Sequence, residues 1–295
     1  MTDQTRTSSA AGDPDLVGRH YDRISELEVS RLQKWSPVEY RITLRYLGRY
    51  LPDGIMVAEV GVGGGLYSEY MLRRGCTLHL VDVSQKLIEA TTNRLREQGL
   101  SGGVASVTHA SATDMAFLQD AAVDAALLLG PLYHLPTLEQ RRAAVAEANR
   151  ILKPGGLLFA AGINRLCYLR DMFRPIDIPG MEALVQDMQD LFRRELRERT
   201  FPAEYLATGC LDPKHAPPIG YAHMTTVDEF RRLFAEGFEE LQLVGVESFT
   251  SAAPHHLNTQ PAEDQELWLD LVETTGATID GLAYSDHFLY IGRKR

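Results

Sequence analysis

Cysteine and basic residues are both scarce in this chain of 295 residues. The three cysteines, Cys76, Cys167 and Cys210, are far apart and show neither CxxC nor metal-ligand spacing, so they indicate no disulfide framework and a reducing, cytoplasmic setting. The 30 Lys and Arg residues against 40 Asp and Glu give a formal net charge of −10. This balance argues against a nucleic-acid partner, because a nucleic-acid groove needs a basic stripe that replaces phosphate counterions.

Long apolar runs are absent as well. None approaches the roughly 20 residues that a membrane-spanning helix needs, and the nine histidines show no paired metal spacing. We therefore expect neither a membrane partner nor a metal ion. The N-terminal residues are rich in Ser, Thr, Ala, Gly and Asp and lack the apolar segment of a signal peptide, so residues 1–18 are predicted to form a disordered tail.

The most informative segment is residues 56–67, which predicts a buried strand, a glycine-rich turn and the start of a helix. Its alternating glycines are Gly61, Gly63 and Gly65. Glycine lets the backbone turn tightly and admits a ligand where a Cβ atom would clash. Glu59 precedes the first glycine by two positions, and Asp82 ends the next apolar run. A carboxylate in the position of Asp82 can accept both hydroxyls of a ribose.

The glycine spacing is not that of a dinucleotide-binding loop, because Leu66 stands where the last glycine is needed. A Glu-x-Gly-x-Gly-x-Gly pattern followed by a strand-ending Asp resembles the cofactor loop of the class I S-adenosylmethionine-dependent methyltransferases. In that family the loop passes under the methionine part of the cofactor, and the acid after the second strand holds the ribose. Three later segments, 108–117, 124–135 and 151–161, resemble the adenine-bordering loop, the fourth strand with its active-site loop, and the fifth strand.

The resemblance covers roughly residues 19 to 165 and the extreme C-terminus. It implies an α/β fold: a Rossmann-like, seven-stranded, mostly parallel sheet with helices on both faces. Ser84, and Thr137 with Gln140, predict two helix starts. We divide the chain into the tail 1–18, an N-terminal helical cap 19–50, the cofactor-binding core 51–164, a substrate lid insertion 165–224 before the sixth strand, and the end of the core 225–295, with one helix and the last two strands.

The same resemblance predicts which residues contact the cofactor. They are Tyr21, Glu59, Gly61, Gly63, Gly65, Asp82, Val83, Ser111, Ala112 and Gly130. Tyr21 either closes over the cofactor or is a core aromatic. Ser111 departs from the family, where many members have an acidic residue that accepts from the adenine amine; a serine hydroxyl accepts such a bond more weakly than a carboxylate.

Two sets of residues are candidates for the chemistry and for the acceptor. Tyr133 and His134 follow Gly130 and are predicted to face the transferred methyl group, with His134 as a general base or as a packed, hydrogen-bonded side chain. Predicted acceptor contacts lie beyond the fifth strand or in the lid insertion, where the alternative is simple packing: Asn164, Arg165, Tyr168, Arg170, Tyr221 and His223.

These patterns favour methyl transfer from S-adenosylmethionine to a small-molecule acceptor, a biosynthetic metabolite, because a lid would enclose only a small molecule. Transfer or cyclisation of the aminocarboxypropyl arm, releasing methylthioadenosine, is the alternative that the cofactor loop leaves open. A nicotinamide oxidoreductase is disfavoured by Leu66 and Glu59. A non-catalytic binding module on the same fold is disfavoured by the intact loop. The acceptor atom and the oligomeric state stay open.

Overall fold

The computed structural model describes residues 14–173, 182–217 and 219–295. The first helix, α1, begins at Pro14, so the predicted boundary of the disordered tail at residue 18 is wrong for its last residues. Val17 is buried, and burial of an apolar side chain explains why this stretch is helical. Residues 1–13 of the predicted tail, and residues 174–181 and 218 of the predicted lid, lie outside the described residues.

Helices and strands alternate through the first half of the chain. The strands are β1 Met56–Val60, β2 Thr77–Asp82, β3 Val104–His109, β4 Val123–Leu128, β5 Leu152–Asn164, β6 Cys210–Leu211, β7 Ala222–Thr225, β8 Phe238–Gly245 and β9 His287–Lys294. The α-helices are α1 Pro14–Lys34, α2 Pro37–Tyr50, α3 Leu66–Arg73, α4 Gln85–Glu97, α5 Leu138–Ile151, α6 Arg165–Phe173, α7 Glu182–Glu198, α8 Phe201–Thr208, α9 Val227–Arg232, α10 Ala262–Gly276 and α11 Ile279–Tyr284.

The central sheet has the order β3-β2-β1-β4-β5, with every neighbouring pair parallel. β9 pairs antiparallel with β5, and β8 pairs antiparallel with β9. These strands belong to a mostly parallel α/β sheet, so the predicted Rossmann-like fold is confirmed, whereas the whole sheet has nine strands instead of the predicted seven. β1 and β4 are buried almost throughout, as parallel strands covered on both faces should be.

The structure differs from the predicted secondary structure in the insertion and in the C-terminal region. Among its described residues, the insertion 165–224 holds three helices and two short strands, where one helix is predicted. β7 continues the sheet by pairing parallel with the end of β5, and β6 pairs antiparallel with β7. α10 and α11 lie between the last two strands, in a region where the sequence pattern predicts no helix. No helix in the described ranges combines the length and the apolar character needed to cross a membrane.

α1 is fastened across the carboxyl ends of the central strands. The Asp22 carboxylate accepts hydrogen bonds from Ser84 Oγ at 2.6 Å and from the Lys86 backbone N–H at 3.0 Å, which ties α1 to the start of α4. A Cβ on Gly64 would lie 2.8 Å from the Val29 carbonyl oxygen, so the glycine permits α1 to pack against the loop after β1. The helix therefore covers the edge of the sheet where α/β folds place their ligands.

Candidate functional site

An open cavity lies at the carboxyl ends of β1, β2 and β4. Its walls come from α1, the glycine-rich loop and the loops after β2, β3 and β4. No described residue of the insertion 165–224 lines it. The described part of the insertion therefore gives the predicted lid no contact with the cavity, and α1 lines it instead, through Val17, Tyr21, Glu28, Arg31 and Leu32.

The three predicted glycines of the glycine-rich loop have different structural roles. Gly61 and Gly63 line the cavity, and Gly63 has a φ of +51°, in the left-handed region that favours glycine. The Gly63 backbone N–H donates to Asp82 Oδ2 at 3.2 Å. Gly65 is the N-cap of α3, and a Cβ there would lie 2.7 Å from Thr91 Cγ2, so this glycine serves helix packing instead of lining the cavity.

Asp82 ends β2 with its carboxylate at the cavity. Oδ1 accepts a second hydrogen bond, 2.8 Å long, from the Ser84 backbone N–H. Burial raises the pKa of Asp82 to about 6, against the lowering effect of the backbone donors at residues 84 and 63. Ligand hydroxyls donating to this carboxylate would replace part of its lost hydration. The structure therefore places an ionisable acceptor where the sequence predicts ribose binding.

Four further residues predicted to contact the cofactor also line the cavity: Val83, Ser111, Ala112 and Gly130. Ser111 Oγ already accepts from the Thr113 backbone N–H at 3.2 Å, and its hydroxyl lies 2.9 Å from Thr113 Oγ1. Ser111 is thus a turn-forming residue at the cavity wall, which leaves limited capacity for a ligand amine.

Glu59 does not line the cavity, unlike the other predicted acid. It is buried under the loop, and Ser68 Oγ of α3 donates to it. Burial raises the pKa of Glu59 to about 8, although the Ser68 hydrogen bond lowers it. Glu59 is therefore uncharged at neutral pH and links β1 to α3. It does not line the cavity in which the cofactor contact is predicted.

We expect Glu59→Gln to reduce the loss of stability with rising pH and to leave cofactor affinity unchanged. The folded-state pKa of this carboxyl is raised, so its contribution to the free energy of unfolding is largest below the unfolded pKa and declines as pH rises toward about 8. An uncharged amide removes that decline. Urea unfolding between pH 5 and 8 checks it, with Glu97→Gln on an exposed part of α4 as the control. Equal pH dependence in all three proteins would contradict this assignment.

Tyr21 and His134 meet over the cavity. Tyr21 Oη lies 2.7 Å from His134 Nε2, and His134 Nδ1 lies 3.0 Å from the Tyr221 carbonyl oxygen. A carbonyl only accepts, so Nδ1 carries the proton, and Nε2 accepts from the tyrosine hydroxyl. Burial lowers the pKa of His134 to about 4, so the imidazole is neutral at physiological pH.

Tyr133 lies beside this pair. Its ring contacts the His134 ring edge-on with centroids 4.7 Å apart, and its hydroxyl donates to the Leu129 carbonyl at 3.4 Å. Burial raises the pKa of Tyr133, so the phenol stays protonated. Behind the cavity, Tyr133 packs into an apolar cluster with Tyr168 and other residues of the insertion. The insertion therefore packs against the loop after β4.

Sequence reasoning misses two charged cavity residues on α1, Glu28 and Arg31. Their side chains pair, with Arg31 Nε 3.1 Å from Glu28 Oε1, and the Glu28 carboxylate would lie 3.8 Å from a Cβ on Gly63. Arg31 Nη1 also donates to Glu39 at 3.1 Å and to Ser36 Oγ at 3.4 Å. No described residue accepts from Arg31 Nη2. Their i, i+3 spacing on α1 is the signal that could have found them.

The residues at the end of β5 that are predicted to contact the acceptor form hydrogen bonds and ion pairs with other parts of the protein. Asn164 Nδ2 donates to the carbonyls of Ala283 and Ser285 at 2.8 and 2.9 Å. Arg165 donates to the Met224 and Leu206 carbonyls and pairs with Glu229. Arg170 pairs with Asp286 and donates to the Tyr284 carbonyl. These interactions hold the insertion and the C-terminal region on the sheet, and none of the three residues lines the cavity.

The other three predicted acceptor contacts, Tyr168, Tyr221 and His223, do not line the cavity either. Tyr168 is buried in the apolar cluster and donates to the His215 carbonyl at 3.3 Å. His223 is buried in β7, and burial lowers its pKa to about 3. Tyr221 reaches the site only through its backbone carbonyl, which fixes the His134 ring. Packing is thus the role that the structure gives these side chains.

One cluster has ligand types suited to a metal ion. Ligand atoms of Glu39, Glu247 and His287 lie within 4.8 Å of one another. Arg31 already pairs with Glu39, and His287 Nδ1 already pairs with Glu247 Oε1 at 2.5 Å. Cations of the chain itself therefore balance both carboxylates, and the arrangement needs no metal ion for its charge.

Known proteins that are similar to this chain include methyltransferases. Residues 58–160 match the model of a methyltransferase domain. The chain is 35% identical over 127 residues to a ubiquinone biosynthesis O-methyltransferase of Xylella fastidiosa, covering 42% of this chain and 48% of that protein. A protein of the same name from Thiobacillus denitrificans is 31% identical over 152 residues, covering 51% and 60%. The chain thus spans about half the length of the curated relatives it matches.

Solved structures share the fold across more of the chain. A crystal structure of the cyclase SpnF superposes with a TM-score of 0.60 at 20% identity, covering 95% of this chain and 96% of that one. An S-adenosylmethionine-dependent methyltransferase from Methanosarcina mazei superposes with a TM-score of 0.56 at 20% identity, covering 84% and 96%. At such identities the likeness establishes the fold alone.

Proposed function

We propose that this chain, whose residues 58–160 match the model of a methyltransferase domain, is a class I S-adenosylmethionine-dependent methyltransferase that transfers a methyl group from S-adenosylmethionine to a small-molecule acceptor. The observation that carries the proposal is the cavity formed by Gly61, Gly63 and Asp82 on one side and by Tyr21 and His134 on the other. It joins a nucleoside-binding edge to a hydrogen-bonded pair suited to proton transfer.

The cavity residues fit the two chemically distinct ends of S-adenosylmethionine. Asp82 would accept from the ribose hydroxyls, and the segment from Ser111 to Ala112 would border the adenine. The glycine-rich loop would lie under the methionine part, where Glu28 and Arg31 stand as a carboxylate and a guanidinium 3.1 Å apart. Such a pair complements the ammonium and carboxylate groups of an amino acid, with Arg31 Nη2 as the available donor.

The cofactor, when bound, supplies the electrophilic methyl group, so no protein nucleophile is required. The protein would position the acceptor and exclude water under α1. Tyr21 would accept the proton of an acceptor hydroxyl while donating its own to His134 Nε2, 2.7 Å away. The Tyr221 carbonyl stabilises the resulting imidazolium through Nδ1–H. His134 is therefore the terminal proton acceptor, and Tyr21 connects it to the cavity.

A hydroxyl-bearing metabolite is the acceptor class that we propose. The relatives named above are O-methyltransferases, and a Tyr–His pair serves an acceptor that must lose a proton. The cavity, with walls that include Leu32, Leu129 and Leu135, suits a small and partly apolar molecule.

Product analysis tests this function. The protein is incubated with S-adenosylmethionine and a panel of small phenols and alcohols, and nucleoside products are separated by chromatography, with reactions lacking acceptor or protein as controls. We expect acceptor-dependent S-adenosylhomocysteine and a methylated acceptor. Methylthioadenosine as the nucleoside product would instead establish transfer or cyclisation of the aminocarboxypropyl arm. Methylation confined to tRNA, DNA or intact protein would contradict the small-molecule proposal.

A further inference from the structure

A buried chain of charged side chains runs from the cavity into the protein behind α1. Arg31, in the last turn of α1, pairs with Glu39 in the first turn of α2 at 3.1 Å. Glu39 Oε2 lies 3.9 Å from His287 Nδ1, at the start of β9. His287 pairs with Glu247, just after β8, and Glu247 Oε2 also accepts from the His287 backbone N–H at 2.8 Å.

The side chains of this cluster are mostly buried, and His287, at 17% exposed, is less buried than its two acidic neighbours. The Arg31 side chain is 26% exposed and Glu39 only 8%, whereas Glu247 is 2% exposed. Coulombic interactions are strong in such surroundings, because little water screens them. Only the Glu39 carboxylate lies between His287 and Arg31 in this series, so the charge on His287 affects the interaction of Glu39 with Arg31.

His287 is held in its charged form by these neighbours. Burial alone would lower its pKa, but Glu39 and Glu247 outweigh that effect and raise the pKa to about 9. Glu39 in turn is kept ionised: burial opposes this, but His287 and Arg31 lower its pKa. The remaining charged groups around the cluster are Asp286, adjacent in sequence, Arg170 and Asp171 from α6, and Glu28 on α1.

We infer that His287 is a positioning residue for the amino-acid end of the cofactor, acting through Glu39 on Arg31. The inference rests on the proposed function, because it takes a ligand carboxylate as the partner of Arg31. The imidazolium balances Glu39, which would otherwise hold the guanidinium and repel an incoming carboxylate. Without that positive charge, two carboxylates, those of Glu28 and Glu39, pair with a single arginine. An anionic ligand group then meets a more negative wall.

Two ligands separate this role from a general structural one. S-adenosylhomocysteine has the amino-acid end, whereas methylthioadenosine keeps the nucleoside and sulfur but lacks the carboxylate. Calorimetry at pH 7.5 should show that His287→Gln weakens binding of S-adenosylhomocysteine by roughly tenfold, the scale of one partly screened charge interaction. Methylthioadenosine should bind as it does to the wild type. His287→Lys, which keeps the charge, should restore most of the lost affinity, and exposed His256→Gln is the matched control.

A measurement on the wild-type protein covers the case in which the variants do not fold. Binding is reciprocal, so a carboxylate favoured by the imidazolium must itself favour the imidazolium. Histidine NMR titration should show S-adenosylhomocysteine raising the pKa of His287 and methylthioadenosine leaving it unchanged. Equal effects of the two ligands, in affinities or in the titration, would overturn the inference while leaving cofactor binding intact. Failure of S-adenosylhomocysteine to bind the wild type would overturn the proposed function and the inference together.

Discussion

Gly63→Leu is expected to abolish binding of S-adenosylmethionine while the sheet remains folded. Gly63 lines the cavity, and its φ of +51° places any side chain in the left-handed region. A leucine there would extend into the space between the glycine-rich loop and α1, where Glu28 Oε1 lies 3.8 Å from the Cβ position. It would also shift the backbone N–H that donates to Asp82. Calorimetry with the cofactor and circular dichroism of the variant measure the two expectations.

Gly75→Leu is the matched control for backbone strain. Gly75 has a φ of +76°, and a Cβ there meets nothing within 4 Å. It lies in the turn before β2, away from the cavity. Both variants place leucine in a left-handed conformation, so they share the strain but not the obstruction. Normal cofactor affinity in Gly63→Leu, or equal loss in both variants, would contradict the location of the cofactor.

His134→Ala should lower turnover by roughly 10²–10⁴-fold, the range of a lost proton-transfer group. The affinity for S-adenosylmethionine should change far less, because His134 faces the acceptor end of the cavity. The pKa of His134 is lowered to about 4, so its neutral form is present at every pH well above that value. Protonation of His134 should therefore cause no loss of turnover between pH 8 and 6. Steady-state kinetics with cofactor titrations separate the two parameters.

Tyr21→Phe tests the order of the proton path. The Tyr21 hydroxyl occupies His134 Nε2 at 2.7 Å, so removing it should cost turnover about as much as removing the imidazole. The double variant should be no slower than the worse single variant, because the two residues act as one unit. Normal turnover in Tyr21→Phe would show that His134 works without the tyrosine, and normal turnover in His134→Ala would return both residues to a packing role.

The cofactor edge was predictable because its signals are local in sequence. The glycine-rich loop and Asp82 each follow a strand of the parallel sheet, and the carboxyl ends of such strands meet at one edge. Ser84 caps α4 as its sequence context predicts, and Thr137 and Gln140 form the predicted capping box. Those features depend on neighbours a few residues away, so a single sequence contains them.

The acceptor side was not predictable in the same way. Position beyond β5 predicts that Asn164 faces a ligand, yet its amide satisfies the carbonyls of Ala283 and Ser285, more than 100 residues later in the chain. The i, i+3 spacing of Glu28 and Arg31 predicts that they pair on one face of a helix. That this face lies at the cavity depends on the packing of α1 against Gly64. Contacts between residues far apart in the chain determine both the partners of Asn164 and the orientation of the Glu28–Arg31 pair. Such contacts cannot be predicted from the local sequence pattern.

A calorimetric titration of the unmodified protein with S-adenosylmethionine, S-adenosylhomocysteine and NAD tests which cofactor the cavity binds. The three ligands share an adenosine, so Asp82 alone does not distinguish them, whereas the glycine-rich loop and the charged pair on α1 do. We predict saturable binding of one molecule of S-adenosylmethionine or S-adenosylhomocysteine per chain and no saturable binding of NAD. Binding of NAD without binding of either sulfur nucleoside would contradict the account.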